Sequence, residues 1–145
     1  MASDVVLPAL LRATRGSYGA AIRARLAEGG FDDLPRNGPY VLGGLVNHGG
    51  SARQLVRELG VGKQAAAQLV DTLVARGYLT REPDVTATER GRAAAAAIRA
   101  AVKSVDDELA TLITGTELAG LRAGLVALTE IRERLEDVER GSAVG

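Results

Sequence analysis

Between residues 51 and 88 the chain runs helix, tight turn, helix and hairpin in an order that few folds accommodate. Ser51-Ala52-Arg53-Gln54 has the form of a capping box, a hydroxyl at the cap and an amide three residues on. It opens a short helix to Leu59 with Leu55, Val56 and Leu59 on its inner side. Gly60-Val61-Gly62 leaves only a tight turn before residues 63–76, where Ala66, Leu69, Val70 and Leu73 recur at helical spacing and Gly77 supplies the stop. Residues 78–81 and 85–88 are β-branched and alternating, and they bracket Glu82-Pro83-Asp84, the pattern of a small hairpin. Two helices on a glycine turn occur in many folds, but a hairpin directly behind them narrows the choice to a winged helix-turn-helix.

The flanks are helical. Residues 5–28 carry Val6, Leu10, Ala13 and Ser17 on one stripe, with Leu7, Leu11, Tyr18, Ile22 and Leu26 beside it, and the apolar start predicts burial on more than one side. Gly29-Gly30 ends this helix, and a loop dense in turn residues leads to Pro39, which suits a helical first turn because its missing N–H needs no partner there. A second helix continues through Val41, Leu42, Leu45 and Val46 to Asn47-His48-Gly49-Gly50. Beyond the hairpin, Thr86 or Thr88 caps a long helix with a seam of Ile98, Val102, Val105, Leu109 and Leu112. A second capping box, Thr114-Gly115-Thr116-Glu117, then starts a last helix with Leu118, Leu121, Leu125, Leu128, Ile131, Leu135 and Val138. Both seams have coiled-coil-like spacing. Alanine and leucine fill 44 of the 145 positions and only four residues are aromatic, which suits close helix packing better than a β-sandwich. The expectation is a single, mainly α domain over 1–145.

Composition removes several classes of function. There is no cysteine, hence no disulfide framework, thiol nucleophile or thiolate metal site, and a single histidine excludes any site needing two imidazoles from one chain. No apolar run reaches the roughly 18 residues of a membrane span, and Met1-Ala2-Ser3-Asp4 lacks the basic region of a secretory signal. A cytoplasmic protein without a membrane partner is expected. Net charge is zero but unevenly spread: +1 over residues 1–50, +2 over 51–92 and −3 over 93–145. A modestly basic middle is consistent with a nucleic-acid-facing module.

In SARQLVRELGVGKQAAAQLVDTLVARGYLTREPD and VTATERGR, with long helices at both ends, the chain resembles the multiple-antibiotic-resistance regulator (MarR) family of bacterial winged helix-turn-helix transcription factors. The resemblance implies a homodimeric, sequence-specific regulator of double-stranded DNA, most often a repressor. Residues 39–88 would form the DNA-binding lobe, and residues 5–28 and 89–140 the dimerisation helices. Family members commonly release DNA when a small phenolic or anionic molecule binds between the lobe and the dimer region. Tyr18, Phe31, Tyr40 and His48 come from elements that converge near that cleft, and they combine apolar faces with polar tips. The alternative for these four is that they plug the junction between helices. The surplus of apolar surface on the two seams, with Val5, Val6, Leu7, Leu10 and Leu11, independently predicts a homodimer.

With its inner stripe buried, the helix over 63–76 displays Lys63, Gln64, Ala67, Gln68 and Asp71. Lysine can contact guanine or phosphate, glutamine can pair with adenine through two hydrogen bonds, and alanine can meet a thymine methyl. Lys63, Gln64, Ala67 and Gln68 are therefore the predicted reading face, Gly62 its cap, and Ser51, Arg53 and Arg81 the backbone contacts. Two features depart from the family: glycine stands at 62 where serine or threonine is common, and the wing lacks the usual arginines. Either the wing is a stub or it has a tip that this numbering omits. A protein-interaction or ligand-binding module that has lost DNA is the alternative reading.

No cofactor, metal or catalytic residue is expected. His48 at a helix end reads as a cap or surface residue. Ser51 has no histidine–carboxylate relay, and capping explains it. Asp106-Asp107-Glu108 and the acidic residues at 133–139 read as solvated helix faces, with Glu130–Arg134 and Glu136–Arg140 as favourable pairs. Gly60 and Gly62 follow no strand and form no phosphate loop.

Overall fold

The computed structural model describes residues 4–144. Met1-Ala2-Ser3 and Gly145, the ends of the expected 1–145 domain and most of the stretch read for a secretory signal, lie outside the described residues. Among the described residues are six helices and one two-stranded sheet: α1 (Leu7–Glu28), α2 (Gly38–Asn47), α3 (Ala52–Glu58), α4 (Lys63–Ala75), β1 (Leu79–Thr80), β2 (Thr86–Ala87), α5 (Glu89–Leu112) and α6 (Gly115–Val144). This is the mainly α, winged helix-turn-helix arrangement. No helix among the described residues is long and apolar enough to cross a membrane.

The chain packs as two compact units, Met1–Val105 and Asp106–Gly145. The core of the first is built from Leu26, Val41, Leu42, Val56, Leu69, Leu73, Tyr78, Leu79, Ala94 and Ile98, so α1, α2, α3, α4, β1 and α5 each contribute. Burying a leucine such as Leu73 completely stabilises by about 1.5–3 kcal/mol relative to leaving it in water. Small residues set the spacing. A Cβ on Gly44 would lie 2.9 Å from Leu55 Cδ1, so glycine lets α2 and α3 touch. Ala94 and Ala95 of α5 are fully buried, and Asn47 Nδ2 donates to the Ala95 carbonyl at 3.0 Å.

The turns follow the glycines. Gly60 (φ +70°) closes the α3–α4 turn and Gly77 (φ +82°) ends α4, both in the left-handed region that glycine alone enters without penalty. Thr88 caps α5: its hydroxyl accepts the Gly91 N–H at 3.1 Å and donates to the Gly77 carbonyl. At α6 the capping box is complete, with Glu117 N–H on Thr114 Oγ1 at 3.1 Å and Thr114 N–H on Glu117 Oε1 at 3.0 Å. These bonds hold the Glu117 carboxyl below its ordinary range, the Thr114 backbone N–H first and its side chain second.

Several details differ from the sequence reading. Ser51 Oγ accepts the Gln54 N–H at 3.1 Å, but the Gln54 side chain turns to Glu58 at 3.4 Å instead of back to the cap, so this box is half formed. The strands shrink to two residues each, paired Leu79 with Ala87 and Thr80 with Thr86, across a five-residue loop. The sequence is continuous there, so the wing is a stub. On α6, Glu136 pairs with Arg132 at 3.3 Å and Arg140 with Asp137, not Glu136 with Arg140.

Helix α1, expected to be buried on more than one side, has only Leu26 buried, while Leu7 and Leu11, with Val5 and Val6 just ahead of the helix, face solvent within one chain. In the second unit Leu121, Leu125, Leu128, Ile131, Leu135 and Val138 are all exposed, between 41% and 61%.

Candidate nucleic-acid interface

Helix α4 buries Leu69 and Leu73 and half-buries Ala66 and Val70, which turns Lys63, Gln64, Ala67, Gln68 and Asp71 outward. The structure therefore gives the expected reading face to solvent as one surface. Gly62 is the N-cap of α4 in an extended conformation (φ −65°, ψ 162°), with open space where a side chain would stand.

Beside this face lies a groove of 770 Å³ between α3, α4 and the wing, with Arg53 and Arg57 on one wall, Lys63 and Ala67 on another, and Arg81 on the third. Four cations converge on it. A neighbouring groove of 640 Å³ adds Ser51 and Arg92 and shares Arg53. Arg53, Lys63, Ala67 and Arg81 are thus brought together and Ser51 sits next to them. Gln68 lies on the opposite flank of α4, in a shallow groove with Arg36 and Asn37. Gln64 is exposed and lines none of the three. The sequence reading missed Arg57 and Arg92. Arg57 was legible as the i+4 partner of Arg53 on a short helix, whereas Arg92 depends on the wing folding back onto the start of α5 (its guanidinium donates to the Ala87 carbonyl at 2.9 Å).

One contact changes the meaning of the wing. Arg81 is paired with Asp71 of the reading face. Both side chains are about half exposed or more, so the pair is worth only about 0–1 kcal/mol and a phosphate can displace it.

Behind the interface, a loop residue ties the wing base to α5. Asp33 accepts from the Tyr78 hydroxyl and from Arg90 Nη2 at 3.1 Å, while its backbone carbonyl accepts from Arg76. The Arg90 guanidinium stacks 4.2 Å from the Tyr78 ring centre and also donates to the Arg76 carbonyl. The Tyr78 hydrogen bond, aided by the charge of Arg90, holds the Asp33 carboxyl below its ordinary value against the opposing effect of desolvation. Burial first, and the bond to Asp33 second, push the Tyr78 phenol up to about 12.

The four expected ligand residues separate. Tyr40 and His48 line one cavity of 470 Å³, where the Tyr40 hydroxyl donates to Glu58 Oε2 at 2.8 Å. That hydrogen bond first, then burial, raises the Tyr40 pKa above its ordinary value. Phe31 lines a different cavity of 530 Å³, together with Arg23 and Arg36, and meets Tyr78 edge-on with ring centres 6.3 Å apart. Tyr18 lies exposed on α1 and lines neither cavity. Among the described residues no group of three or more histidines and carboxylates could hold a metal ion.

Residues 32–87 match the family model described as MarR family. A Mycobacterium tuberculosis MarR family protein, Rv2887, in complex with DNA is similar over 86% of this chain and 98% of its own, at 25% identity and a TM-score of 0.60. The same protein in complex with salicylic acid aligns over 86% and 99%, at 25% identity and a TM-score of 0.54. A transcriptional regulator of Thermotoga maritima, Tm0710, aligns over 88% and 94%, at 22% identity and a TM-score of 0.54. No curated protein matches the chain by sequence. The resemblance read from residues 51–92 thus extends through the fold.

Proposed function

We propose that this chain, a winged-helix protein of MarR type, is a sequence-specific DNA-binding transcriptional regulator. It acts as a homodimeric repressor on an inverted-repeat operator, in the bacterial cytoplasm and without enzymatic activity. The observation that carries this reading is the exposed polar face of α4 beside the cationic groove of Arg53, Arg57, Lys63 and Arg81. Gln64 and Gln68, with Lys63 and Ala67, read base edges in the major groove, while Ser51, Arg53 and Arg81 hold phosphates and Gly62 lets the helix start close to the backbone. Residues 39–88 form the DNA-binding lobe of one functional domain over 1–145.

The exposed apolar residues of α1 and of the α6 seam supply the surface for a second copy, so residues 5–28 and 89–140 serve as dimerisation helices. In such a dimer the two α4 helices meet successive major grooves, and the half-sites lie about one helical turn apart, roughly 34–36 Å.

A small effector releases the DNA. The expected phenolic or anionic class suits the Phe31 cavity, where Arg23 and Arg36 outnumber the carboxylate of Asp32. That the Mycobacterium protein is described in complex with salicylic acid supports this class. Footprinting of the full-length protein on genomic fragments tests the regulator reading. Protected sites that share an inverted repeat are expected. Absence of any preferred fragment at low salt would replace this reading with a protein-interaction or ligand-binding module, which the stub wing and the Arg81–Asp71 pair would then explain.

A further inference from the structure

The reading face of α4 has two flanks. At about 100° per residue, Lys63 and Ala67 project to one side of Gln64 and Asp71, while Ala65, Gln68 and Thr72 project to the other. The first flank borders the groove of Arg53, Arg57 and Arg81. The second borders a groove of 280 Å³ closed by the loop between α1 and α2. Arg36 is the cation of that second groove, and no carboxylate lines it. Arg36 is exposed, and among the described residues its guanidinium takes part in no ion pair.

The backbone beneath Arg36 is held against α4. The Gly38 N–H donates to the Pro35 carbonyl at 2.9 Å, which closes a turn around Arg36 and Asn37. Asn37 takes up the left-handed conformation (φ +67°), which asparagine tolerates better than most residues. Gly38 is buried, and a Cβ there would lie 3.4 Å from Leu73 Cδ2, so the turn packs on the inner side of α4. Arg36 therefore stems from a fixed point beside Gln68.

We propose that Arg36 is a second phosphate clamp, gripping the sugar-phosphate strand across the major groove from the one held by Arg53, Arg57 and Arg81. An α-helix with its side chains is about 10–12 Å across and the major groove about 12 Å wide, so a helix lying in it has a phosphate strand along each flank. The cations of α3 and the wing serve one strand. Arg36 is the cation that lines the other flank, and its planar fork suits two phosphate oxygens. Because Arg36 and Gln68 share one groove, the clamp also fixes the register in which Gln68 meets its base. A stub wing whose arginine is already paired with Asp71 leaves more of the grip to this loop. The clamp rests on the reading of the chain as a DNA-binding regulator.

Fluorescence anisotropy of the full chain on the inverted repeat it protects tests the clamp. Arg36→Ala should weaken binding to every duplex about tenfold and lower the salt slope by about one unit per subunit, whereas Arg36→Lys should keep the slope. Arg23→Ala is the control. Arg23 shares the Phe31 cavity with Arg36 but does not line the α4 groove, so its loss should leave affinity and slope unchanged. Duplexes with single methylphosphonates, each lacking one phosphate charge, then locate the contact. The penalty of Arg36→Ala should vanish at a methylphosphonate on one wall of the major groove, and that of Arg53→Ala at one on the opposite wall. An unchanged salt slope in Arg36→Ala, an equal fall in Arg23→Ala, or coupling of Arg36 and Arg53 to the same wall would overturn the proposal. A parent protein that prefers no duplex refutes the regulator reading and the clamp with it. A parent that binds its repeat no more tightly than Arg36→Ala does refutes the clamp alone.

Discussion

Gly91→Ala probes the joint between the wing and α5. Gly91 lies in the first turn of α5, buried, with its N–H on Thr88 Oγ1 at 3.1 Å. A Cβ there would fall under 3.0 Å from the Tyr78 carbonyl oxygen, 3.1 Å from its carbonyl carbon and 3.4 Å from Ala87 Cβ. The obstructing atoms are backbone and cannot rotate away, so α5 must move off the strand by about 1 Å to restore ordinary contact. That shift breaks the Thr88 N–H bond to the Tyr78 carbonyl, now 3.1 Å, at a cost of about 1 kcal/mol. Overpacking adds about 1–3 kcal/mol, and alanine's better helix propensity returns about 1 kcal/mol. The net loss is about 1–3 kcal/mol, or roughly 4–12 °C in Tm for a chain of this size. Thermal denaturation followed by circular dichroism reads it, with Gly16→Ala as the control, because Gly16 has open space around it and should melt at or above the parent temperature. If Gly91→Ala melts no lower than the parent protein, the account of how the wing is anchored is wrong.

Asp71→Asn removes the pair that Arg81 gives up on meeting a phosphate, worth about 0–1 kcal/mol, so binding to any duplex should tighten by up to about fivefold, whereas Arg81→Ala should lower the salt slope by about one unit per subunit. An unchanged salt slope in fluorescence anisotropy would mean that Arg81 stays off the phosphates. The Tyr78–Asp33 pair predicts two pH limbs. Tyr78, raised to about 12, contributes stability that is complete below its ordinary value near 10 and lost as pH climbs through 12. Asp33, lowered, contributes stability present above its ordinary value of 3.8 and lost as pH falls through the lower folded value. Tyr78→Phe should flatten the alkaline limb of a Tm–pH profile and Asp33→Asn the acid limb, and unchanged limbs would remove the pair from the stability account. Sedimentation at micromolar concentration should give a species of twice 15.0 kDa; a 15.0 kDa species would overturn the dimer.

What was legible in the sequence is what local rules govern. Gly60 and Gly77 marked their turns because the left-handed conformation they adopt is nearly forbidden to other residues. Leu69 and Leu73 marked the buried side of α4 because helical period alone fixes which residues share a face. The polar reading face follows from the same period. Thr114 and Glu117 satisfied each other as the spacing predicts, but Gln54 did not return to Ser51, because Glu58 one turn further on offered its amide a carboxylate.

Partners distant in sequence were not legible. Asp33 meets residues 45 and 57 positions away, and no local pattern marks a loop aspartate as the anchor of a buried tyrosine. Tyr40 and Glu58 likewise meet across 18 positions. Tyr18, Phe31, Tyr40 and His48 looked like one group by chemistry, yet they diverge because Phe31 turns to Tyr78 while Tyr40 turns to α3. The apolar start of α1 was visible as surface to be covered, but hydrophobic pattern does not say by what.

Selection of bound duplexes from a random library, with the parent protein and with Gln64→Ala, Gln68→Ala and Arg53→Ala, tests the central claim most directly. The parent protein should enrich an inverted repeat with half-sites about one helical turn apart. Each glutamine variant should lose about 1–3 kcal/mol at that sequence and relax preference at one position per half-site, whereas Arg53→Ala should weaken every duplex alike and lower the salt slope by about one unit per subunit. Enrichment of the same repeat with undiminished preference in both glutamine variants, or no enrichment by the parent protein, would contradict the account.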